Sequence, residues 1–363
     1  DFTRATTATR INSSGLIETV AISVPRLEYP MIDGVVNGCP SLLLEPSRTN
    51  KLSTSNDFNG SSWLISDITA TANQVVSPDG TLNASKLEMT GNGSLRNQSE
   101  ASFNDGYAYS IFIKKGNSRY VTIRSAFFTQ SIVVGFDLDT LTAQTNGKIE
   151  DYGNDWYRLS ITKDISGDAD KSGFFYLYLP NSLGSQTSVS GNYAYFYGGQ
   201  IEDGSYATSY IPTNGSTVTR NAETCNGAGD ATTFNDSEGV LMVEISALTD
   251  DGSAGLISLS DGTTSNRITI ELDGNIVKGR LTPSVGILNA STNITISTKI
   301  VLKYKENDFA LWINGFEAAV SNSGNTFSNG TLTELAFDRG DGAEDFYGKT
   351  KQIQYYNTVL TDS

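Results

Sequence analysis

The stretch YAYFYGGQIE, residues 193–202, places Tyr193, Tyr195 and Tyr197 on one side of an extended chain and Phe196 on the other. Strict alternation in a short aromatic run is the signature of a β-strand, because successive side chains of a strand point to opposite faces. GFFYLYLP (173–180) repeats the device with Phe174, Tyr176 and Tyr178. Outward from these two, YAYSIFIKK (107–115), YVTIRSAF (120–127), SIVVGFDLDT (131–140) and WYRLSITKDI (156–165) follow the same habit, with Gly, Asn, Asp and Ser between them. Strands at this regular spacing, with no window of 3.6-residue apolar period, predict an all-β sandwich or jelly roll.

The pattern breaks at CNGAGDATTFNDSEG (225–239) and then restarts with GVLMVEISAL (239–248), GLISLSDG (255–262) and NRITIELDGN (266–275). The segments TKIVLKYKENDFALWINGFEAAV (298–320), LTELAFDRG (332–340) and GKTKQIQYYNTVL (348–360) complete it. Asp273-Gly274 and Asn314-Gly315 are hairpin signals, since both positions tolerate positive φ. Two tandem antiparallel sandwiches are therefore expected, residues 1–228 and 229–363. A length of 363 residues agrees with two cores rather than one. The chain opens inside a patterned segment and stops without a closing element, so a piece of a longer polypeptide is expected.

Composition narrows the chemistry. There is no His, which excludes Ser–His and Cys–His nucleophilic sites and His-ligated zinc. The net charge of −15 argues against nucleic-acid backbone binding. No apolar run approaches the ~20 residues of a membrane-spanning helix. Cys39 and Cys225, the only two cysteines, flank the first half and are a possible disulfide.

The second half resembles the concanavalin A-like, or laminin G-like, jelly roll. VLKYKENDFALWINGFEAA carries that likeness, as does the closing DFYGKTKQIQYYNTVLTDS. The first half resembles a β-sandwich of bacteriophage virion proteins, and through it the carbohydrate-binding modules. DFTRATTATRINSSGLIETVAISVPRLEY (1–29), PSLLLEPSRTNKLSTSNDF…W (40–63), DWYRLSITKDIS (155–166) and YGGQIEDGSYATSYIPTNGSTVTRNAE (197–223) carry that likeness. The resemblance implies a non-enzymatic virion component, a fibre, spike or surface decoration that attaches to a host-surface glycan. Its partners would be other virion proteins or copies of itself, as a symmetric homo-oligomer such as a trimer. The alternative is a carbohydrate-binding fragment of a secreted polysaccharide-processing protein.

Candidate sites follow. Tyr176, Tyr178, Tyr193, Tyr195 and Tyr197 would form a sugar-stacking platform if their strands were neighbours, and ordinary core if not. No cofactor is required, but Asp250, Asp251, Asp338, Asp341 and Asp345 form a candidate structural Ca²⁺ group; solvated acidic turns are the plainer reading. The acid pairs in 150–155, 201–204 and 340–345 sit in Gly-bearing turns rather than on a strand face, so no catalytic residue is expected. The Thr-rich N-terminal arm and the STVTRNA segment are expected to pack together. That would gather Arg4, Arg10, Arg48 and Arg220 as a subunit contact or carboxylate clamp, or as internal ion pairs to Glu45 and Glu223.

Overall fold

The computed structural model describes residues 1–127, 131–250 and 255–359. Every regular element among them is a strand, and the fold is all-β. No helix is long and apolar enough to cross a membrane.

In the first half the strand path runs Ser131–Asp137, Tyr120–Phe127, Ser172–Tyr178, Leu82–Asn97, Tyr193–Asp203, Gly106–Lys115, Trp156–Asp164, Gly147–Asp151. This path folds over at Leu82–Asn97. That strand pairs with Tyr193–Asp203 through residues 85–88 and with Ser172–Tyr178 through Leu95 and Arg96. Trp63–Val76 lines its other edge, with a register irregularity between Met89 and Ser94. The result is two sheets facing each other. Val121, Ile123, Phe136, Phe175 and Leu177 of one share a buried core with Ile111, Ile113, Leu159, Ile161 and Phe196 of the other.

The opening stretch carries a bulge. The Gly106–Lys115 pairing slips between Ser110 and Phe112, opposite Gly198, which has φ +58°. Any Cβ at Gly199 would lie 2.6 Å from the Trp63 ring, so only glycine fits. The extra residue shifts the alternation. Ala194 and Phe196 point into the core, and so does Ile201, five positions on from Phe196.

The second half stacks a seven-stranded sheet on a five-stranded one. Leu241, Val243, Ile257, Ile268, Leu302 and Tyr304 fill the space between. The Asn-Gly hairpin forms as expected: Asn314 and Gly315, both at positive φ, join Phe309–Ile313 to Phe316–Ser321. Strand pairing crosses residue 228. Ser41–Leu44 pairs with Gly348–Tyr356, and Arg26–Glu28 pairs with Ser41–Leu44, so the seven-stranded sheet ends on two strands of the N-terminal segment.

The arm's first strand, Phe2–Thr3, pairs with Thr224–Cys225. The Val218–Arg220 strand of STVTRNA pairs with Arg48–Asn50 rather than with the arm, and the Asn221 amide after it donates to Thr6 Oγ1 of the arm at 2.9 Å. Ile11 and Ile17 of the arm hairpin pack on Phe112, Trp156, Tyr197 and Tyr210, on the outer face of the Gly106–Lys115 sheet. Of the arginines expected to gather, Arg4 meets Glu223 at 2.6 Å and Arg220 meets Glu45 at 2.8 Å, all with buried side chains. Arg26, not singled out by sequence, bridges Glu45 at 2.8 Å and also Glu223. The internal ion-pair alternative therefore holds for Arg4 and Arg220. Arg10 instead pairs locally with Glu18, and Arg48 lies over the Tyr206 ring.

Candidate functional site

The five tyrosines do not form one platform. Leu82–Asn97 lies between the two Tyr-rich strands, and the fold at that strand puts them on opposite sheets. Phe175 and Leu177 face the core, so Phe174, Tyr176 and Tyr178 lie on the outer face of one sheet. Ala194 and Phe196 face the same core from the other side, so Tyr193, Tyr195 and Tyr197 lie on the outer face of the second sheet. Tyr197 is buried beneath the arm. Its ring packs on Phe112 and Tyr210, and its hydroxyl donates to Asp79 Oδ2 at 2.9 Å. Burial, reinforced by Tyr210 and Asp79, pushes its phenol well above the ordinary range. Tyr197 is a packing residue.

Each outer face carries a tyrosine flanked by two cations, in register across three strands. On the second sheet the row is Lys114–Tyr195–Lys86. Lys86 sits 4.1 Å from the Tyr193 ring centre, and it pairs with Glu88 at 2.6 Å. Lys114 pairs with Asp155 at 3.3 Å. On the first sheet the row is Arg124–Tyr176–Arg96. Arg124 lies 5.7 Å from the Tyr176 ring centre and Arg96 4.6 Å from that of Phe174. Tyr176 and Tyr178 stack at 6.3 Å with an interplanar angle of 12°. Burial raises the Tyr178 phenol, opposed by a hydrogen bond and charge from Arg124. Arg124 Nε donates to Ser131 Oγ at 3.2 Å, and Arg96 Nη1 donates to the Asn97 carbonyl at 2.8 Å. Among the described residues, neither arginine meets a carboxylate. Sequence alternation finds the tyrosines. It misses Arg96 and Arg124, because only the strand pairing brings residues 96, 124 and 176 together.

The candidate Ca²⁺ residues do not converge. Asp250 accepts from Asn275, Asp341 pairs with Arg339 at 2.8 Å, and Asp251 lies outside the described residues. Asp338 and Asp345 are both held above the ordinary carboxylate range, chiefly by burial and also by neighbouring negative charge. Among the described residues, no three acids or thiols group as metal ligands would. Two of the acid pairs lie on strands rather than in the expected turns, Glu150 in Gly147–Asp151 and Glu202 in Tyr193–Asp203, and both acids are engaged: Glu150 binds Lys148 at 2.7 Å, and buried Glu202 accepts from Thr208 Oγ1 at 2.6 Å. Cys39 and Cys225 are free thiols rather than a disulfide. Cys225 pairs across from Phe2 and packs toward the second core, whereas Cys39 stands exposed before Ser41–Leu44.

A concave cleft of about 480 Å³ lies where the arm and the two sandwiches meet, lined in part by Tyr152, Arg158, Tyr206 and Thr208. Two of its charge pairs are closed, Lys349 on Glu28 at 2.8 Å and Lys148 on Glu150. Arg158 donates to Ser110 Oγ at 2.8 Å and lies over Phe112.

No protein-family model and no curated protein matches this chain. Solved structures similar to it are β-sandwich proteins. The carbohydrate-binding module CBM40 of Ruminococcus gnavus IT-sialidase, bound to α2,3-sialyllactose, is 18% identical over 38% of this chain and 89% of its own, with TM-score 0.32. Domains LG4-5 of the mouse laminin α1 chain are 11% identical over 91% of this chain and 93% of theirs, with TM-score 0.27. Sheep galectin-11, in complex with glycerol, is 12% identical over 32% of this chain and 88% of its own, with TM-score 0.23. Likenesses this distant assign neither ligand nor residue roles.

Proposed function

We propose that this chain is a non-catalytic, glycan-binding virion component, a fibre, spike or surface-decoration subunit. Its first sandwich presents the Phe174–Tyr176–Tyr178 strip to a host-surface sugar. The observation that carries the reading is the half-buried Tyr176 ring, stacked on the buried Tyr178, with guanidinium donors beside it. A flat apolar ring next to fixed polar groups is what recognition of a sugar face requires. The virion assignment draws on the four segments of the first half that resemble phage structural proteins. Exposed apolar side chains of the N-terminal segment, Ile22, Val24, Leu27, Ile32 and Val35, favour contact with a neighbouring subunit, either another virion protein or a copy of this chain.

The test is binding of the full chain to a glycan array, alongside Tyr176→Ala. An exposed ring contributes about 1 kcal/mol through stacking. Tyr176→Ala is therefore expected to lose most retention while its melting temperature stays within about 2 °C. Undiminished retention by Tyr176→Ala would remove the strip from the reading. Light scattering of the chain, compared with a secreted binding module that is monomeric, tests the subunit role.

A further inference from the structure

We infer that the outer face of the Tyr120–Phe127 and Ser172–Tyr178 strands selects a negatively charged sugar, gripped between Arg124 and Arg96 above the Tyr176 ring. The inference rests on the glycan-binding reading and names the ligand class of the same face.

The two faces of the sandwich provide an internal comparison. Both carry a cation–tyrosine–cation row, yet Lys86 and Lys114 each hold a carboxylate and Arg96 and Arg124 do not. Elsewhere on this sandwich, Lys115, Arg119, Lys148 and Lys171 also pair with acids. In a chain of net charge −15, acids are abundant, yet both guanidiniums of this row lack an ion pair among the described residues, as Arg48 and Arg158 also do while lying over Tyr206 and Phe112. The arginine Cα atoms stand two strand spacings apart, about 10 Å. Both side chains lie over the aromatic strip, Arg124 over Tyr176 and Arg96 over Phe174, and each carries more N–H donors than its contacts within the protein use. That arrangement suits one carboxylate or sulfate on a ring lying against Tyr176. It does not suit a polyphosphate, which the overall charge repels.

The experiment is retention of the full chain on an array of neutral, uronic-acid-bearing and sulfated oligosaccharides, with titrations of the best binders at 50 and 300 mM salt. Retention confined to anionic glycans, weakening several-fold with salt, is expected. Whether the carboxylated or the sulfated arm is retained identifies the charged group. Arg124→Gln and Arg96→Gln should each lose on the order of tenfold in affinity, and Arg124→Lys should recover only part of that. Lys86→Gln, on the opposite face, should bind as the parent does. Equal binding of neutral and anionic glycans, lost on Tyr176→Ala, would overturn the charge selection and leave the glycan reading standing. Binding to no glycan would overturn both.

Discussion

Arg26 and Glu223 stand 197 positions apart in sequence and meet in an ion pair from which water is wholly excluded. Arg26 Nε donates to Glu223 Oε1 at 2.8 Å, and Arg4 reaches the same carboxylate at 2.6 Å. The Glu45 amide donates to the other Glu223 oxygen at 3.0 Å. One buried carboxylate therefore holds the N-terminal arm, the strand leading to the second sandwich and the return segment. Removing one partner of a buried pair leaves an uncompensated charge, which costs about 3–5 kcal/mol. Glu223→Gln is expected to lower the unfolding free energy by an amount in that range, as read from a urea melt. A loss under about 1 kcal/mol would mean that the remaining hydrogen bonds suffice.

Glu45 gives the same network a pH signature. Burial alone would raise its carboxyl, but Arg220 and Arg26, with the Ser209 hydroxyl and amide, outweigh it and hold the group well below the ordinary range. A carboxylate depressed in the folded state contributes stability above its unfolded pKa of about 4.3, and loses it as pH falls toward the folded value. The parent chain should therefore be more stable than Glu45→Gln at pH 7, and the gap should narrow between about pH 5 and pH 3. Urea midpoints across that range measure the gap. A gap that stays constant would mean that Glu45 acts through packing rather than charge.

The pairing of Ser41–Leu44 with Gly348–Tyr356 bears on how the halves fold. Leu44 is fully buried in the core of the second sandwich, and Leu43 beside it is 2% exposed. A fragment of residues 229–363 therefore lacks a wall of its own core and bares the edge of a central strand, an aggregation hazard. Burying one leucine side chain is worth about 1.5–3 kcal/mol. Adding a peptide of residues 24–46 to the fragment is expected to raise its melting temperature and lower its aggregation. An indifferent response would show that 229–363 is a self-sufficient unit, with the boundary near residue 228.

The sequence is most legible where one face of a strand is buried and the other is not. The runs read at 107–115, 120–127, 156–165 and 193–202 lie within a residue or two of the strands Gly106–Lys115, Tyr120–Phe127, Trp156–Asp164 and Tyr193–Asp203. Those runs do not include the Trp63–Val76 and Leu82–Asn97 hairpin. Its strands are rich in Thr, Ala, Asn and Ser, and Trp63–Val76 is largely solvent-exposed beyond Trp63. Trp63–Val76 offers little apolar alternation to read, and Leu82–Asn97, which decides that the two Tyr-rich strands sit on opposite sheets, shows it only briefly, at Leu87 and Met89, among polar residues and glycines. Arg26 is opaque for a related reason. A charge in sequence reads as surface, and only the return of the chain after Tyr210 converts it into a buried partner.

Tyr197 and Tyr176 separate packing from recognition in one pair of variants. Tyr197 is 5% exposed and closes a small cluster with Phe112, Trp156 and Tyr210 under the arm. Truncating a buried aromatic costs about 3–5 kcal/mol, so Tyr197→Ala should lower the melting temperature by many degrees and fray the arm. Tyr197→Phe keeps the ring and removes only the hydroxyl that donates to Asp79, a loss of about 1.5–3 kcal/mol for a bond to a charged acceptor. At temperatures where both variants are folded, glycan retention should match the parent, because the cluster lies on the sheet opposite Tyr176. Hydrogen exchange of residues 8–20 reports the arm directly. Loss of retention by folded Tyr197→Phe, with Tyr176→Ala unaffected, would move the binding surface to the arm-covered face.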